Sequence, residues 1–326
     1  MPMTLRQQLD RAAVYDAEYS HNLASHLPMA LAALARLGAD EQRLAAFAQN
    51  YATRLRIAPA AEPWPDGEPW QSRFGDPRAW PAYRTLFNDW VDHEGGPAVL
   101  EQALPALLRG VGAAAFHGPI RVAYAISSGH SHELADALAY WACRWFGLGV
   151  LPDSGRERDP AVVLARLNIA KPRRPLIAER IALVADQPGF ARVVGGLRVD
   201  VADTLERLAR LAAQLYAESD NFTVLHLVTS SHALRVLLPW LDDDQRADAL
   251  GQYWLAYAAG HVSSGLGAGS SPSPVAALRP WPEIVARAIA SEDDHFIKIV
   301  DSCREQEAAY GGDVWRAAAS RALKSA

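Results

Sequence analysis

Apolar residues in this chain recur at spacings of three and four, a rhythm that favours helices over strands. Leu27, Ala30, Leu31 and Leu34 run in step before Gly38. Leu134, Leu138 and Trp141 form a second stripe, and Leu205, Leu208, Leu211 and Leu215 a third. Residues so spaced share one helical face, which puts charges such as Asp136 and Glu206 on the opposite side. Gly38 and Gly147 stand where C-caps belong. No alternating strand pattern flanks an Asn-Gly or Asp-Gly turn, and neither a βαβ rhythm nor a glycine-rich phosphate loop is present. The expected fold is all-α. With no internal repeat and no shift in composition, residues 1–326 read as a single multi-helix domain, long enough to bury its own core.

Two stretches break the helical rhythm. Residues 58–84 are rich in Pro and Trp, unsuited to helix yet too aromatic for a free linker, which predicts an ordered wrap over the helical body. Residues 262–282 are rich in Gly, Ser and Pro and read either as a binding loop or as a surface excursion.

Bulk properties exclude several classes. A net charge of −5 without blocks of like charge gives no footprint for nucleic acid or an anionic membrane. No stretch is long and uncharged enough to span a bilayer, and the N-terminal residues lack the apolar run of a signal peptide. Cys143 and Cys303 form no CxxC pair and read as buried thiols of a reducing compartment. These features predict a soluble cytoplasmic protein; the oligomeric state is left open, a homodimer included.

Four histidines lie in apolar, helix-forming surroundings: His26, His117, His226 and His295. A neutral imidazole buried there needs a hydrogen-bond partner or a metal. One such residue is ordinary, but four in four segments predict a shared centre and a helical metalloenzyme. The bland reading, satisfied core histidines, carries comparable weight. His21, His232 and His261 read as cap or surface residues, His130 and His132 as residues near the substrate or at the surface, and His93 as exposed. No spacing matches HExxH or a zinc finger, so spacing alone names no metal. Lys298 shares a helical face with His295. Its amine either pairs with Asp294 or Asp301, snorkels, or stays neutral and captures carbon dioxide as a carbamate that offers oxygen to a metal. Arg121 and Tyr124 follow His117 at i+4 and i+7, placed to orient substrate oxygens, to support the ligands from behind, or simply to pack. Trp64, Trp70 and Trp80 are candidates for an aromatic pocket wall.

Several blocks together resemble the questin oxidase-like family: H-L-P-M-A-L-A-A-L-A-R-L-G-A, then A-A-A-F-H-G-P-I-R-V-A-Y-A-I with E-L-A-D-A-L-A-Y-W-A, then F-T-V-L-H-L-V-T-S-S-H-A-L-R, and finally D-D-H-F-I-K. They occur in that order across nearly the whole chain. The resemblance implies an oxidoreductase that opens rings of anthraquinone-like polyketides. Its implied cofactor is either NADPH, in a Baeyer–Villiger-like reaction, or a non-haem Fe(II) held by four histidines and a carboxylated lysine. Carried onto this sequence, the ligands are His26, His117, His226, His295 and Lys298, with His21 and His232 competing with His26. The partners are then O2 and a small electron-rich aromatic. No dinucleotide fingerprint supports NADPH. Two other readings compete: a zinc-type hydrolase with a carboxylated lysine, drawing on Asp293 or Glu133, and a non-catalytic helical protein binding an aromatic ligand.

Overall fold

A computed structural model describes residues 3–20, 22–152, 155–266 and 277–323. Among these, sixteen α-helices account for almost all regular structure. The N-terminal part contains α1 (Leu5–Ala12), a two-stranded antiparallel hairpin of β1 (Glu18–Tyr19) and β2 (Leu23–Ala24), α2 (Leu27–Leu37) and α3 (Glu41–Ala52). The middle holds α4 (Trp80–Glu94), α5 (Gly96–Leu107), α6 (His117–Ser128), α7 (Ser131–Arg144), α8 (Pro160–Leu164), α9 (Ile177–Ala185) and α10 (Phe190–Val194). Then come α11 (Thr204–Ser219), α12 (Phe222–Leu237), α13 (Asp243–Ser264), α14 (Trp281–Ala290), α15 (Asp294–Tyr310) and α16 (Val314–Ala322). The expected all-α fold is what forms.

Four helices make the centre. α2 packs on α6, α6 on α12, α12 on α15, and α15 back on α2, closing a ring. Their sequences explain why they sit inside. In α2 nine of eleven residues are buried, as befits a helix that is apolar nearly all round. α12 is also buried on most sides, and its hydroxyls do not stay bare: Thr229, Ser230 and Ser231 donate to the carbonyls of Leu225, Leu227 and Val228. Close approach is secured by small residues. A Cβ at Gly118 would meet the Trp141 ring at 2.7 Å, so α6 and α7 can touch only through glycine there.

Some boundaries depart from the sequence expectation. Gly38 does cap α2, at φ 97°. Gly147 caps nothing, because α7 already ends at Arg144 and Trp145 is extended. The Pro/Trp-rich stretch is an ordered wrap, with Trp64 on Tyr83 and Trp70 among Phe74, Phe87 and Trp90. Its last residues are nonetheless helical: α4 begins at Trp80, with Pro81 in the first turn, where a missing N–H removes no helical bond. Asp136 is buried rather than on a wet face, its carboxylate bridged by Arg84 at 2.9 Å. Of the predicted 262–282 loop, α13 takes residues up to Ser264 and α14 begins at Trp281; residues 267–276 lie outside the described residues. Both cysteines are buried free thiols. No helix among the described residues is long and apolar enough to cross a membrane.

Candidate metal centre

Each of the four central helices presents a histidine at or near its start. His26 is the N-cap of α2, His117 opens α6, His295 lies in the first turn of α15, and His226 stands one turn into α12. The ring centroids of His26 stand 4.6 Å from those of both His117 and His295; His226 lies 5.0 Å from His117 and 5.6 Å from His295. Nitrogens of His26, His117 and His295 lie within 4.8 Å of one another, as do ligand atoms of Asp293, Asp294 and His295, and the His226 ring neighbours His117 and His295. The positive starts of α2, α6 and α15 that meet here favour a negative partner, and Asp294 supplies one.

Local chemistry fixes how these rings point. His117 Nδ1 lies 2.5 Å from the Ala114 carbonyl and His226 Nδ1 2.8 Å from the Phe222 carbonyl. A carbonyl only accepts, so both Nδ1 atoms carry the proton. Asp294, the first residue of α15, receives His26 Nδ1 at 2.5 Å and His295 Nδ1 at 2.9 Å on a single oxygen, Oδ1. Burial would raise the Asp294 carboxyl, but His26, His295 and Lys298 together hold it well below the usual range, so it is an anion and His26 Nδ1 donates. Burial and Lys298, opposed by Asp294, lower His26 to about 3, and burial with the neighbouring cationic groups drives His117 and His226 well below the ordinary histidine value. All three are neutral at physiological pH. Their Nε2 atoms are therefore bare lone pairs, and those of His26 and His117 face each other at 2.7 Å.

His117 reaches this position through an uncommon backbone. Ala114, Ala115 and Phe116 are three successive non-glycine residues at φ 48°, 57° and 69°. Left-handed conformations destabilise such residues by about 1–2 kcal/mol each. The turn aims the Ala114 carbonyl at His117 Nδ1 and sets α6 in register.

The rings line a cavity of about 220 Å³. Its other walls are mostly apolar, with Leu23, Leu176, Ile177 and Phe222, while Tyr19, Asn22 and Tyr140 add polar groups. Phe222 packs against His226 and His295 with ring centroids 5.0 and 4.7 Å away and is 56 % exposed, so it stands at the mouth. Lys298 is buried behind the imidazoles, Nζ 3.8 Å from Asp294 Oδ1. Burial, partly offset by Asp294, brings its amine down to about 8.

Other sequence candidates lie elsewhere. Arg121 is locked in a buried pair with Glu133 at 2.7 and 2.9 Å, and Tyr124 donates to the Lys298 carbonyl at 3.3 Å. Neither lines the cavity, so the structure does not bring them to a substrate; Tyr124 instead braces α15. Trp64, Trp70 and Trp80 do not line it either, because the wrap engages them with Tyr83, Phe87 and Tyr140. His232 is buried deeper in α12, near Tyr124 and Arg235. His261 lines a separate cavity of about 720 Å³. His130 caps α7 and meets Asp10, while His132 and His93 are exposed. His21 lies outside the described residues. Sequence reasoning treated Asp294 only as a partner for Lys298; its signal as an orienting carboxylate was its place directly before His295.

The model of the questin oxidase-like family matches residues 21–303, which hold all four histidines and Lys298. The chain belongs to the questin oxidase-like family. No curated protein matches it. Membership supports an oxidoreductase of oxidase or oxygenase type, and the helical fold with its histidine-lined cavity is the frame on which that chemistry has to work.

Proposed function

We propose that this chain is a non-haem Fe(II) oxygenase of electron-rich aromatic compounds, the ion held by Nε2 of His26, His117, His226 and His295. The observation that carries the reading is the pair of bare Nε2 atoms 2.7 Å apart. Two lone pairs at that separation repel unless a cation or a proton lies between them, and burial disfavours an added proton. Two nitrogens bound to one ion at about 2.1 Å and at a right angle stand roughly 3 Å apart, close to this arrangement. Asp294 orients two of the rings in the way outer carboxylates do at metal centres. Imidazole donors without thiolate accept several ions, and membership in an oxidase-like family favours a redox-active one.

The bound ion would supply the one-electron exchange that lets dioxygen react with a closed-shell aromatic. The chain's own residues do the rest. A neutral fraction of the Lys298 amine can attack carbon dioxide: the Nζ–C bond forms as one C=O π bond opens onto oxygen, the Nζ proton passes to water, and the resulting carbamate supplies a negative charge beside the imidazoles. A 220 Å³ cavity suits one or two aromatic rings, given that a cavity of about 150 Å³ takes benzene. Phe222 offers a stacking face at the mouth, and the apolar walls exclude water. Electrons come from the substrate, whose ring gains oxygen and whose neighbouring C–C bond breaks, so NADPH has no place in this reading. A two-metal hydrolase is less favoured, because Glu133 is committed to Arg121 and Asp293 to capping α15.

Elemental analysis of protein purified without added metal, with oxygen-uptake assays against hydroquinones and polyphenols, tests this. We expect about one iron per chain, lost from His117→Ala and His226→Ala while helical content persists. Lys298→Arg keeps the charge but cannot form a carbamate and should lose iron and activity. Two zincs per chain, or no metal and no change in thermal stability on chelation, would overturn the proposal.

A further inference from the structure

Oxidation of a phenol or hydroquinone begins with loss of a proton, and the imidazoles cannot take it. The Nδ1 atoms of His117, His226, His26 and His295 are engaged by carbonyls or by Asp294, and the facing Nε2 atoms belong to the metal in the reading above. Of the remaining polar side chains in the cavity, Tyr19, Asn22 and Tyr140, one leads outward. The Tyr140 hydroxyl donates to Glu18 Oε1 at 3.2 Å, and the other carboxylate oxygen, Oε2, is held by Arg144. Glu18 in turn lines a second, charged cavity of about 380 Å³, together with Asp16, Arg56, Arg78 and Arg144. Tyr140 and Asn22 line both cavities, so they form the partition between them. Arg56 and Arg78, 63 % and 91 % exposed in their side chains, open the second cavity to water.

We propose that Tyr140 and Glu18 form the proton relay of this site, Tyr140 binding the substrate's phenolic oxygen and Glu18 receiving the proton. The proposal rests on the oxygenase reading for its substrate class, a phenol or hydroquinone. Tyr140 already donates to Glu18, which leaves its oxygen lone pairs free to accept from a substrate hydroxyl. The substrate proton moves to the Tyr140 oxygen as the Tyr140 proton moves to Glu18 Oε1. The substrate becomes a phenolate, Tyr140 is unchanged, and Glu18 becomes a neutral acid. Glu18 then returns its proton to water in the second cavity. Tyr140 is the catalytic residue of the pair, and Glu18 acts through it. Burial lifts the Glu18 carboxyl above its usual range, with Arg144 and Tyr140 pulling it back and Asp16 adding to the rise. That brings the acceptor nearer a phenol's proton affinity. The other charges facing the relay are Arg56, whose Nη2 donates to the Glu18 carbonyl at 3.5 Å, and Arg121, whose guanidinium lies 5.9 Å from the Tyr140 ring centroid.

The test titrates 4-nitrophenol bound to the protein as purified, because its phenolate absorbs visible light and its phenol does not. Wild type is compared with Tyr140→Phe and Glu18→Gln, both close in volume to the native residues, with iron content and helical signal measured alongside. We expect bound probe to ionise above its free midpoint in wild type, because Tyr140 accepts from the neutral phenol and the Glu18 carboxylate repels the phenolate. In both variants the midpoint should fall by about one pH unit, a tenfold change in the ratio of ionised to neutral probe. Oxygen uptake with hydroquinone should fall about 100-fold in kcat with KM changed less, and the acid limb of the pH–rate profile should vanish in Glu18→Gln. An unchanged midpoint in both variants, or a wild type that does not bind the probe, overturns the relay. Absence of iron with the midpoint shifts intact would sink the oxygenase reading and leave the relay standing.

Discussion

At the scale of single residues, Asp294 carries more of the centre than its unremarkable place in the sequence implies. One of its oxygens aligns His26 from α2 and His295 from α15. Asp294→Asn keeps the shape but can no longer accept both N–H groups on a full negative charge. Metal affinity should drop about 10–100-fold, measured by competition with a chelator, while the far-UV circular dichroism stays native. Unchanged affinity would remove Asp294 from the centre. Histidines in apolar runs were legible in the sequence, because a buried imidazole without a reason is conspicuous. Asp294 was not, since an acid beside another acid at a helix start looks like a cap. Arg121, left open by the sequence between substrate contact and packing, shows what spacing leaves out. Its spacing from His117 was right for a shared helix, but spacing says nothing of Glu133, twelve residues on, which holds it.

Among the elements, the left-handed turn Ala114–Phe116 is where the fold yields local stability to geometry. Ala114 is only half-buried, so its methyl group contributes little packing. Ala114→Gly should stabilise the protein by about 1 kcal/mol, seen as a higher denaturant midpoint, with metal content unchanged. A lower midpoint would show that the turn is not strained. Sequence patterns could not reveal this turn, because Ala-Ala-Ala-Phe reads as helix by every local preference, and only the requirement to start α6 at His117 overrides it. The helices themselves were legible, since their apolar spacing is set by the core they bury. Their ends were less so: Gly147 had the right residue type but lies past Arg144, where Trp145 already turns the chain away.

For the whole molecule, buried neutral histidines make stability depend on acidity. Burial holds His232 at about 3 and His261 at about 4, below the ordinary 6.5 of an unfolded chain. The unfolded state therefore takes up protons first, so their contribution is present above pH 6.5 and is lost as pH falls toward 4, a few kcal/mol in all. Asp301 works against this over a narrower range, its carboxyl lifted to about 6 by burial despite Arg36, so it favours the folded state as pH falls from 6 to its unfolded value. Chemical denaturation between pH 7 and 4.5 should show a net loss of stability that is shallower in His232→Gln. Equal slopes would assign the loss to other groups. The convergence of these four helices near their starts has a further outcome. Helix ends ordinarily fray first, yet here the starts of α2, α6 and α15 and the second turn of α12 face inward and hold one another. Deuterium uptake along these helices should thus run opposite to custom, slowest at their beginnings.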